Sequence, residues 1–292
     1  MRTLNLVGGG RVGQTLARLW QQQGTFRVQD VLTTSRASAQ TACDFIGAGT
    51  AVAALSAMRP ADVWMLAVPD AQVALAAQAL DQEFAARAAP SGTTLTTPST
   101  PNADIVAFHC SGALGAAQLA PLAALGWRTA SAHCILSFAQ ASTAVTQFPG
   151  TPCALEGNPS ACATLRPAFQ AIGGQCFDLA SEHKLLYHAA AVFATNFLPV
   201  LQTVAEDAWR ATGVPAALIP GLRASLLANA VANITTLGPS AALTGPAARG
   251  DTAAIARQAV AVKDWDPAAG AAYEALSALA LRMAAKRGNP PA

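Results

Sequence analysis

The chain has 292 residues, of which 52% are hydrophobic and 12% charged, and its formal net charge is +2. This length allows two domains with large cores. A charge so close to zero, and so dispersed, argues against a surface for nucleic acid or for an anionic membrane. The first residues lack the basic and apolar regions of a secretion signal, so we expect no signal peptide.

Glycines follow an apolar, strand-like run at residues 4–7, and a helical pattern starts directly after them. A dinucleotide pyrophosphate needs this order, because the helix N-terminus presents unpaired N–H groups and a positive dipole end to the anion. Gly8 would permit the tight turn, Gly10 the approach of the phosphates, and Gly13 the close packing of helix on strand. The predicted pyrophosphate site is Gly8, Gly10, Arg11, Val12 and Gly13. The alternative is a glycine turn that binds no ligand.

A second strand is predicted at residues 28–34, and Ser35 and Arg36 follow it. The ribose of the adenosine half should lie at this strand end, where a carboxylate would bind a 2′-hydroxyl and repel a 2′-phosphate. A hydroxyl and a guanidinium instead suit a phosphate. The pattern therefore favours NADP over NAD as the cofactor. An exposed arginine on a loop is the alternative.

Further strands are predicted where apolar runs suit a parallel sheet that is covered on both faces. They lie at residues 50–53, 62–68, 105–109, 128–133, 152–156 and 175–179. Val68, Pro69 and Asp70 end one of these runs and would flank the cofactor ribose, and Asp70 can also cap the next helix. Residues 88–102, rich in Pro, Ser, Thr and Gly, indicate a surface loop.

The strand pattern stops near residue 180, and helical signals follow at residues 181–211, 215–237, 251–262 and 267–287. We therefore predict an α/β fold with a Rossmann domain at residues 1–180, built on a doubly wound, mostly parallel sheet. An all-helical domain would occupy residues 181–292. Residues 185–205 carry no formal charge, but the polar residues within them favour a helix in a core or a subunit interface over a membrane span.

The six cysteines show neither a C-x-x-C pair nor zinc-ligand spacing, so no metal site is predicted. They are typical of reduced, mostly buried thiols in a cytoplasmic protein.

Five motifs occur along the chain in a fixed order. They are Gly8-x-Gly10-Arg11-Val12-Gly13, Ala67-Val68-Pro69-Asp70, His109-Cys110-Ser111-Gly112, Lys184-x-x-Tyr187-His188 and Leu243-Thr244-Gly245-Pro246-x-x-Arg249-Gly250-Asp251. Together they resemble the family of Rossmann-like proteins that carry a DUF2520 helical domain. That family is similar to pyrroline-5-carboxylate reductases, prephenate dehydrogenases and the 6-phosphogluconate and β-hydroxyacid dehydrogenases. The resemblance implies an NAD(P)-binding domain, a helical domain that often dimerises, and hydride-transfer chemistry, but no particular substrate.

Hydride transfer also needs a group that gives or takes the matching proton. Lys184 and His188 are four residues apart and would share one helix face. In the β-hydroxyacid dehydrogenases that the chain resembles, a lysine here serves the substrate and an asparagine follows four residues later. Because His188 stands at the asparagine position, either Lys184 alone or His188 with it could handle the proton. A solvated lysine and a core histidine are the structural alternatives.

His133 follows a strand, and its place is similar to that of the histidine that polarises the substrate hydroxyl in prephenate dehydrogenases. Here Cys134 replaces the proline of that family's His-Pro pair. His109 and Ser111 are expected near the nicotinamide end of the cleft, with Ser111 the better candidate to contact cofactor and substrate. Both could instead only satisfy backbone groups at strand ends.

Arg249 lies in a glycine- and proline-rich turn between two helices, where it could bind a substrate carboxylate or phosphate, or an acidic residue of a partner subunit. The alanine- and leucine-rich helices around it have more apolar surface than one helical layer can bury, so we expect a homodimer through this domain.

These observations favour an NADP-dependent oxidoreductase that acts on a C=O or C=N group of a small, acidic metabolite. Catalytic residues would be Lys184, His188 and His133, with Ser111 and Arg249 binding the substrate. A nucleotide-binding sensor or partner-binding protein without turnover is the first alternative, and use of a reduced flavin or deazaflavin is the second.

Overall fold

The computed structural model describes residues 1–88 and 104–288. The loop predicted at residues 88–102 lies almost entirely outside these ranges. The chain forms two compact units, which divide between Val192 and Phe193.

The first unit contains one sheet of eight strands within the described residues, in the order β3-β2-β1-β4-β5-β6-β7-β8. The strands are β1 Arg2–Val7, β2 Phe26–Leu32, β3 Thr50–Val52, β4 Val63–Leu66, β5 Val106–His109, β6 Arg128–Cys134, β7 Pro152–Gly157 and β8 Gln175–Asp178. Strands β6 and β7 are antiparallel, and the other neighbouring pairs are parallel. The doubly wound, mostly parallel sheet predicted from the apolar runs is confirmed.

Helices cover both faces of this sheet, because each face has its own apolar core. On one face, the Trp20 ring packs edge-on against Phe169 with 5.1 Å between ring centroids. On the other face, Phe84 packs edge-on against Trp127 at 4.8 Å. Strand β4 lies between the two cores and is buried at every residue, which explains its uninterrupted apolar sequence.

Seven α-helices belong to the described part of the first unit. They are α1 Arg11–Gln22, α2 Arg36–Ile46, α3 Asp70–Ala88, α4 Ala120–Ala124, α5 Ala141–Gln147, α6 Pro159–Ala171 and α7 Lys184–Ala191. Short 3-10 turns lie at Leu55–Ala57, Ala116–Leu119 and Ser181–His183. A single π-helical turn, Val192–Asn196, follows α7.

The second unit is helical throughout the residues described. Its helices are α8 Phe197–Ala211, α9 Ile219–Ala242, α10 Gly245–Ala248, α11 Thr252–Trp265 and α12 Pro267–Gly288, with a 3-10 turn at Ala216–Leu218. Helix α9 is broken at Gly238, which has φ 78° and ψ 159° and precedes a proline. The Asp251 side chain accepts a hydrogen bond from the Ala254 N–H at 2.9 Å and so caps α11.

Large apolar side chains are exposed along α8 and α9, whereas helices in a buried layer would cover them. They include Phe197, Leu198, Val200, Leu201, Leu222, Leu226, Val231, Ile234 and Leu237. Two helical stretches, Ser181–Ala211 and Ala216–Ala242, are long and apolar enough to cross a membrane by length and composition alone. A helix that covers a subunit interface passes the same test, so this property does not identify a membrane protein.

All six cysteines are free thiols: Cys43, Cys134 and Cys153 are buried, and Cys110, Cys162 and Cys176 are partly buried. Cys134 and Cys153 are register partners across β6 and β7, with 3.5 Å between their sulfur atoms.

The Gly13 position offers a test of how closely α1 packs on the sheet. A Cβ there would lie 2.7 Å from the Gly8 carbonyl oxygen and 2.9 Å from the Ala67 Cβ. We expect Gly13→Ala to destabilise the protein by about 1–3 kcal/mol, the usual cost of overpacking. Urea unfolding followed by circular dichroism measures this change.

Gly221 is the matched control, because it also lies in a helix but a Cβ there would meet no atom within 4 Å. Gly221→Ala should be neutral or stabilise by up to about 1 kcal/mol, since alanine is the better helix former. Equal effects of the two substitutions would contradict the packing argument.

Candidate functional site

The turn between β1 and α1 requires a glycine at its start and leaves space at its end. Gly8 has φ +99°, and a Cβ there would lie 2.4 Å from the Ala67 carbonyl oxygen. A Cβ on Gly10 would meet only that same oxygen, at 3.9 Å. Gly10 also precedes the first turn of α1, whose N–H groups lack acceptors within the helix. A side chain at Gly10 would therefore fill space that a phosphate could occupy, so the turn fits a pyrophosphate.

A cleft of about 800 Å³ opens beside this turn, at the carboxyl ends of β1, β2 and β4. Its lining is mostly apolar, with several hydroxyl groups. The lining residues are Val7, Gly8, Gly9, Gly10, Leu32, Thr33, Thr34, Ser38, Ala67, Val68, Pro69, Gln72, Leu75, Ala76 and Ala79. Such a volume falls in the range of cofactor sites, which commonly measure about 300–1,000 Å³.

The predicted cofactor residues are distributed unequally around this cleft. Gly8, Gly10, Val68 and Pro69 line it. Val12, Asp70 and Ser111 line a second, smaller pocket. Arg11 and Gly13 belong to the first turn of α1.

Ser35 and Arg36 lie at the start of α2 and outside the residues that line the cleft. The Ser35 hydroxyl accepts a hydrogen bond from the Ser38 N–H at 3.1 Å and so caps the helix. Arg36 is exposed. Three hydroxyl residues that line the cleft at this strand end, Thr33, Thr34 and Ser38, were not predicted as site residues. The clustering of hydroxyl residues at 33–38 is the signal that could have indicated them.

The second pocket has a volume of about 210 Å³ and lies at the carboxyl ends of β5 and β6. Asp70, which follows the cleft residue Pro69, belongs to its wall. Its lining residues are Val12, Asp70, Cys110, Ser111, Gly112, His133, Cys134, Leu136, Phe138 and His188. Two imidazoles, one from β6 and one from α7, therefore line the same pocket.

Gly112 separates these two imidazoles. A Cβ at this position would lie 2.5 Å from His188 Nδ1 and 2.8 Å from His133 Nε2. Both nitrogens therefore face the same backbone atom, and the ring centroids are 5.7 Å apart. The His188 Nδ1 atom is buried and has no hydrogen-bond partner among the described residues, so it can bind a ligand atom. Gly112 was not predicted as a site residue.

The Ser111 turn is held together by its own hydrogen bonds. The Ser111 hydroxyl accepts from the Ala113 and Leu114 N–H groups at 3.2 and 3.0 Å. Its backbone N–H donates to His109 Nδ1 at 3.2 Å. The other ring nitrogen, Nε2, is 3.0 Å from the Gly115 carbonyl oxygen. His109 thus satisfies backbone groups at the end of β5, as the structural alternative anticipated.

Lys184 is 1% exposed and contacts this turn through its ammonium group. Its Nζ donates to the Ser131 hydroxyl at 2.8 Å and to the Ser111 carbonyl oxygen at 3.2 Å. Burial lowers the pKa of Lys184, while the negative charges of Glu156 and Asp70 partly oppose this shift. Lys184 is not among the residues that line the pocket. Its role in proton transfer stays a prediction, and the contacts also support a role in shaping the site.

His133 contacts Tyr187, which belongs to the Lys184 motif but was not predicted as a site residue. Its Nδ1 lies 2.8 Å from the Tyr187 hydroxyl. Burial, followed by the charges of His188 and Lys184, lowers the pKa of His133 to about 4. At neutral pH the His133 ring is therefore uncharged. No local sequence signal indicates this contact, because the two residues are 54 positions apart in the chain.

Arg249 belongs to the second unit, where it is exposed and follows α10. Its backbone N–H donates to the Pro246 carbonyl oxygen at 3.1 Å. Its predicted contact with a substrate or partner stays a prediction.

Comparisons with known proteins agree with this architecture. A family model for a Rossmann-like domain matches residues 2–134. The model of the domain of unknown function DUF2520 matches residues 151–280. No curated protein matches the chain significantly.

Several solved structures share the fold at low sequence identity. Protein TM1727 from Thermotoga maritima is 22% identical with a TM-score of 0.73, over 98% of this chain and 100% of that one. An imine reductase from Myxococcus stipitatus in complex with NADP+ is 17% identical with a TM-score of 0.61, over 98% and 95% of the two chains. A Plasmodium falciparum pyrroline carboxylate reductase with NADP bound is 11% identical with a TM-score of 0.55, over 97% and 98%. At such identities the likeness concerns the fold.

The charge of Lys184 gives a test of the pocket electrostatics. A nearby cation opposes protonation of an imidazole, so Lys184→Met should raise the pKa of His133 above its value of about 4. Burial is the larger cause of the shift, so the pKa should stay below the ordinary histidine value of about 6.5. Titration of ¹⁵N-labelled histidine rings by NMR measures the change.

Lys286→Met is the matched control, because Lys286 lies in the last turn of α12 in the second unit. It should leave the pKa of His133 unchanged. If the pKa of His133 stays constant or falls in Lys184→Met, the proposed electrostatic effect of Lys184 on His133 is contradicted.

Proposed function

Because the chain combines a Rossmann-like domain with a DUF2520 domain, we propose that it is an NADP-dependent oxidoreductase. It would move a hydride to or from a C=O or C=N group of a small, acidic metabolite. The observation that carries this proposal is the adjacency of two cavities on one sheet edge. The larger cavity is lined by the backbone of Gly10 and by Pro69. The smaller one is lined by two imidazoles and by Asp70, the residue that follows Pro69 in the chain.

In this proposal the cofactor pyrophosphate lies against Gly8 and Gly10, at the N-terminus of α1, where N–H groups and the helix dipole attract anions. Val68 and Pro69 pack beside the ribose that leads to the nicotinamide. The nicotinamide, when bound, supplies or accepts the hydride. The chain itself binds and orients the reactants and handles the proton.

The imidazoles of His133 and His188 are the groups best placed to contact a substrate, because both line the smaller pocket. Among the described residues His188 Nδ1 has no hydrogen-bond partner, so it can bind a substrate oxygen or nitrogen. Lys184 donates a hydrogen bond to the Ser111 carbonyl oxygen and so places a positive charge close to the site. Arg249 would bind a carboxylate or phosphate of the substrate, or an acidic residue of a partner subunit.

A preference for NADP would come from the end of β2. The cleft there is lined by three residues that carry hydroxyl groups, Thr33, Thr34 and Ser38. Arg36, exposed at the start of α2, can reach a phosphate with a charge-assisted hydrogen bond. A hydroxyl-lined strand end does not repel the 2′-phosphate as a carboxylate would.

Calorimetric titration with NADPH and NADH tests both parts of this proposal. Gly10→Ala should weaken binding of both cofactors about tenfold or more, because its methyl group blocks the phosphate from the backbone N–H groups. Arg36→Ala should weaken NADPH alone, also by about tenfold, since one hydrogen bond to a charged group contributes about 1.5–3 kcal/mol.

Gly10→Ala should fold normally, because its Cβ would have no neighbour closer than 3.9 Å, and thermal unfolding without cofactor checks this. Arg27→Ala, an exposed arginine on β2, is the control for charge. Equal affinities for NADPH and NADH would overturn the NADP preference. Tight cofactor binding with no turnover of keto acids, hydroxy acids or cyclic imines would favour the sensor.

We further propose that the chain forms a homodimer through its second unit. Several apolar side chains on α9 are about half exposed, among them Leu226 at 53%, Val231 at 50% and Ile234 at 47%. Contiguous apolar surface of this extent is typical of a protein interface. A second copy covers such a face by two-fold symmetry without a further partner.

Light scattering during gel filtration should give twice the 29.6 kDa of one chain. The double variant Leu226→Lys/Ile234→Lys should elute as a monomer, because two buried charges per subunit cannot be paired at such a face. Leu75→Lys, an exposed leucine of the first unit at 55%, should not change the mass. A wild-type mass of one chain, or a protein that is soluble only in detergent, would overturn the homodimer.

A further inference from the structure

His133 and Tyr187 form a contact between the end of β6 and the first turns of α7, at the wall of the smaller pocket. The two rings meet edge-on at 88°, with 5.5 Å between centroids. His133 Nδ1 is 2.8 Å from the tyrosine hydroxyl. The other ring nitrogen, Nε2, faces Gly112. Tyr187 is therefore hydrogen-bonded to one ring nitrogen of His133, while the second ring nitrogen faces the pocket.

Both partners are uncharged at neutral pH. The pKa of His133 is lowered to about 4 by burial and by the charges of His188 and Lys184, against a smaller opposing effect of Asp70. Burial raises the pKa of Tyr187, with smaller contributions from Cys134 and Cys153. A neutral imidazole carries one ring proton, which lies either on Nδ1 or on Nε2. The direction of the hydrogen bond to Tyr187 decides which.

We propose that Tyr187 donates to His133 Nδ1, fixes the ring as its Nε2–H tautomer, and so makes His133 the hydrogen-bond donor to a substrate carbonyl oxygen. In this proposal, which rests on the oxidoreductase function above, Tyr187 is a positioning residue. The substrate is a carbonyl compound rather than a protonated imine.

The direction of the bond follows from what each nitrogen must contact. If Nδ1 carried the proton, Nε2 would face the pocket as a bare acceptor, and the Tyr187 hydrogen would need another acceptor. Among the described residues the Tyr187 hydroxyl has His133 as its hydrogen-bond partner. Tyr187 is half-buried, and as the donor to Nδ1 its hydroxyl hydrogen needs no further acceptor. This arrangement satisfies both groups.

The proton balance of a reduction is then complete. The carbon–oxygen π bond breaks as the carbon receives the hydride, and the oxygen takes the proton from His133 Nε2. His133 Nδ1 takes the proton of the Tyr187 hydroxyl, which takes one from water. One hydride and one proton are consumed, and the product is an alcohol. Neither residue ends the reaction with a changed charge.

The substrate class follows from the need for this donor. A carbonyl oxygen gains negative charge as the hydride arrives, so a neutral N–H donor stabilises it. A protonated imine already carries its proton and loses positive charge during reduction. Its nitrogen has no free lone pair, so it cannot accept a hydrogen bond from His133 Nε2–H. A pocket that presents Nε2–H therefore fits the carbonyl group.

NMR of the ¹⁵N-labelled histidine rings reads the tautomer without any substrate or cofactor. The chain has four histidines, and single His→Gln variants assign their signals. We expect His133 to be the Nε2–H tautomer at neutral pH, with Nδ1 as the unprotonated, hydrogen-bonded nitrogen. A His133 ring that carries its proton on Nδ1 would overturn the proposal.

Tyr187→Phe removes the donor and keeps the ring. The ¹⁵N signal of His133 Nδ1 should shift as the hydrogen bond is lost, or the Nδ1–H tautomer should appear. Tyr273→Phe is the matched control, because Tyr273 is the other tyrosine of the chain and its hydroxyl donates to Gln258. An Nδ1 signal that is identical in wild type and Tyr187→Phe would overturn the contact.

Kinetics test the substrate class, with a panel of 2-keto acids and of cyclic imines that are protonated at neutral pH. Tyr187→Phe should lower kcat at least tenfold on the carbonyl substrates, with KM changed less, and should change turnover of the imines little. An equal loss on both classes, or turnover of imines alone, would overturn the assignment to carbonyls. A panel with no turnover would count against the oxidoreductase function, and the NMR result would still decide the tautomer.

Discussion

A buried ammonium group connects the two strands and the helix that form the smaller pocket. Lys184 begins α7, and its Nζ donates to the Ser111 carbonyl after β5 and to the Ser131 hydroxyl in β6. Both acceptors are neutral, and the side chain is 1% exposed. A cation removed from water is strongly destabilising unless its hydrogen bonds are satisfied. The positions of these three elements are therefore constrained together.

The same cation affects both the approach of the two imidazoles and the pKa of His133. Ser131 lies two residues before His133 on β6, and Lys184 lies one turn before His188 on α7. The bond between Ser131 and Lys184 thus sets how the two rings approach each other. The field of Lys184 also contributes to the lowered pKa of His133. One group thus helps to position the rings and adds to the larger effect of burial on the pKa of His133.

Most of the fold could be predicted from the sequence because its signals are local. Apolar runs mark strands that are covered on both faces, and the glycine turn at residues 8–13 marks the first strand–helix connection. The reversal of β7 against β6 is different. Its residues have the same apolar character as a parallel strand, so nothing in the pattern indicates direction.

The candidate site could be predicted only as far as its residue types. Strand ends, helix spacing and the family resemblance together indicated His133, His188, Ser111 and Lys184. Their mutual contacts, however, join residues far apart in the chain. The Lys184–Ser131 bond, for instance, spans 53 residues. Ser35 illustrates the opposite difficulty. A hydroxyl before a helix suits both a phosphate and a helix cap, and the structure shows it in use as a cap.

The absence of a side chain at Gly112 makes three distant positions interdependent. Any larger residue there would collide with His188 Nδ1 and His133 Nε2. A side chain at Gly112 thus requires the imidazoles of His133 and His188 to move aside, whereas loss of an imidazole leaves more room at this position. Relatives that keep both imidazoles should therefore also keep a glycine at this position.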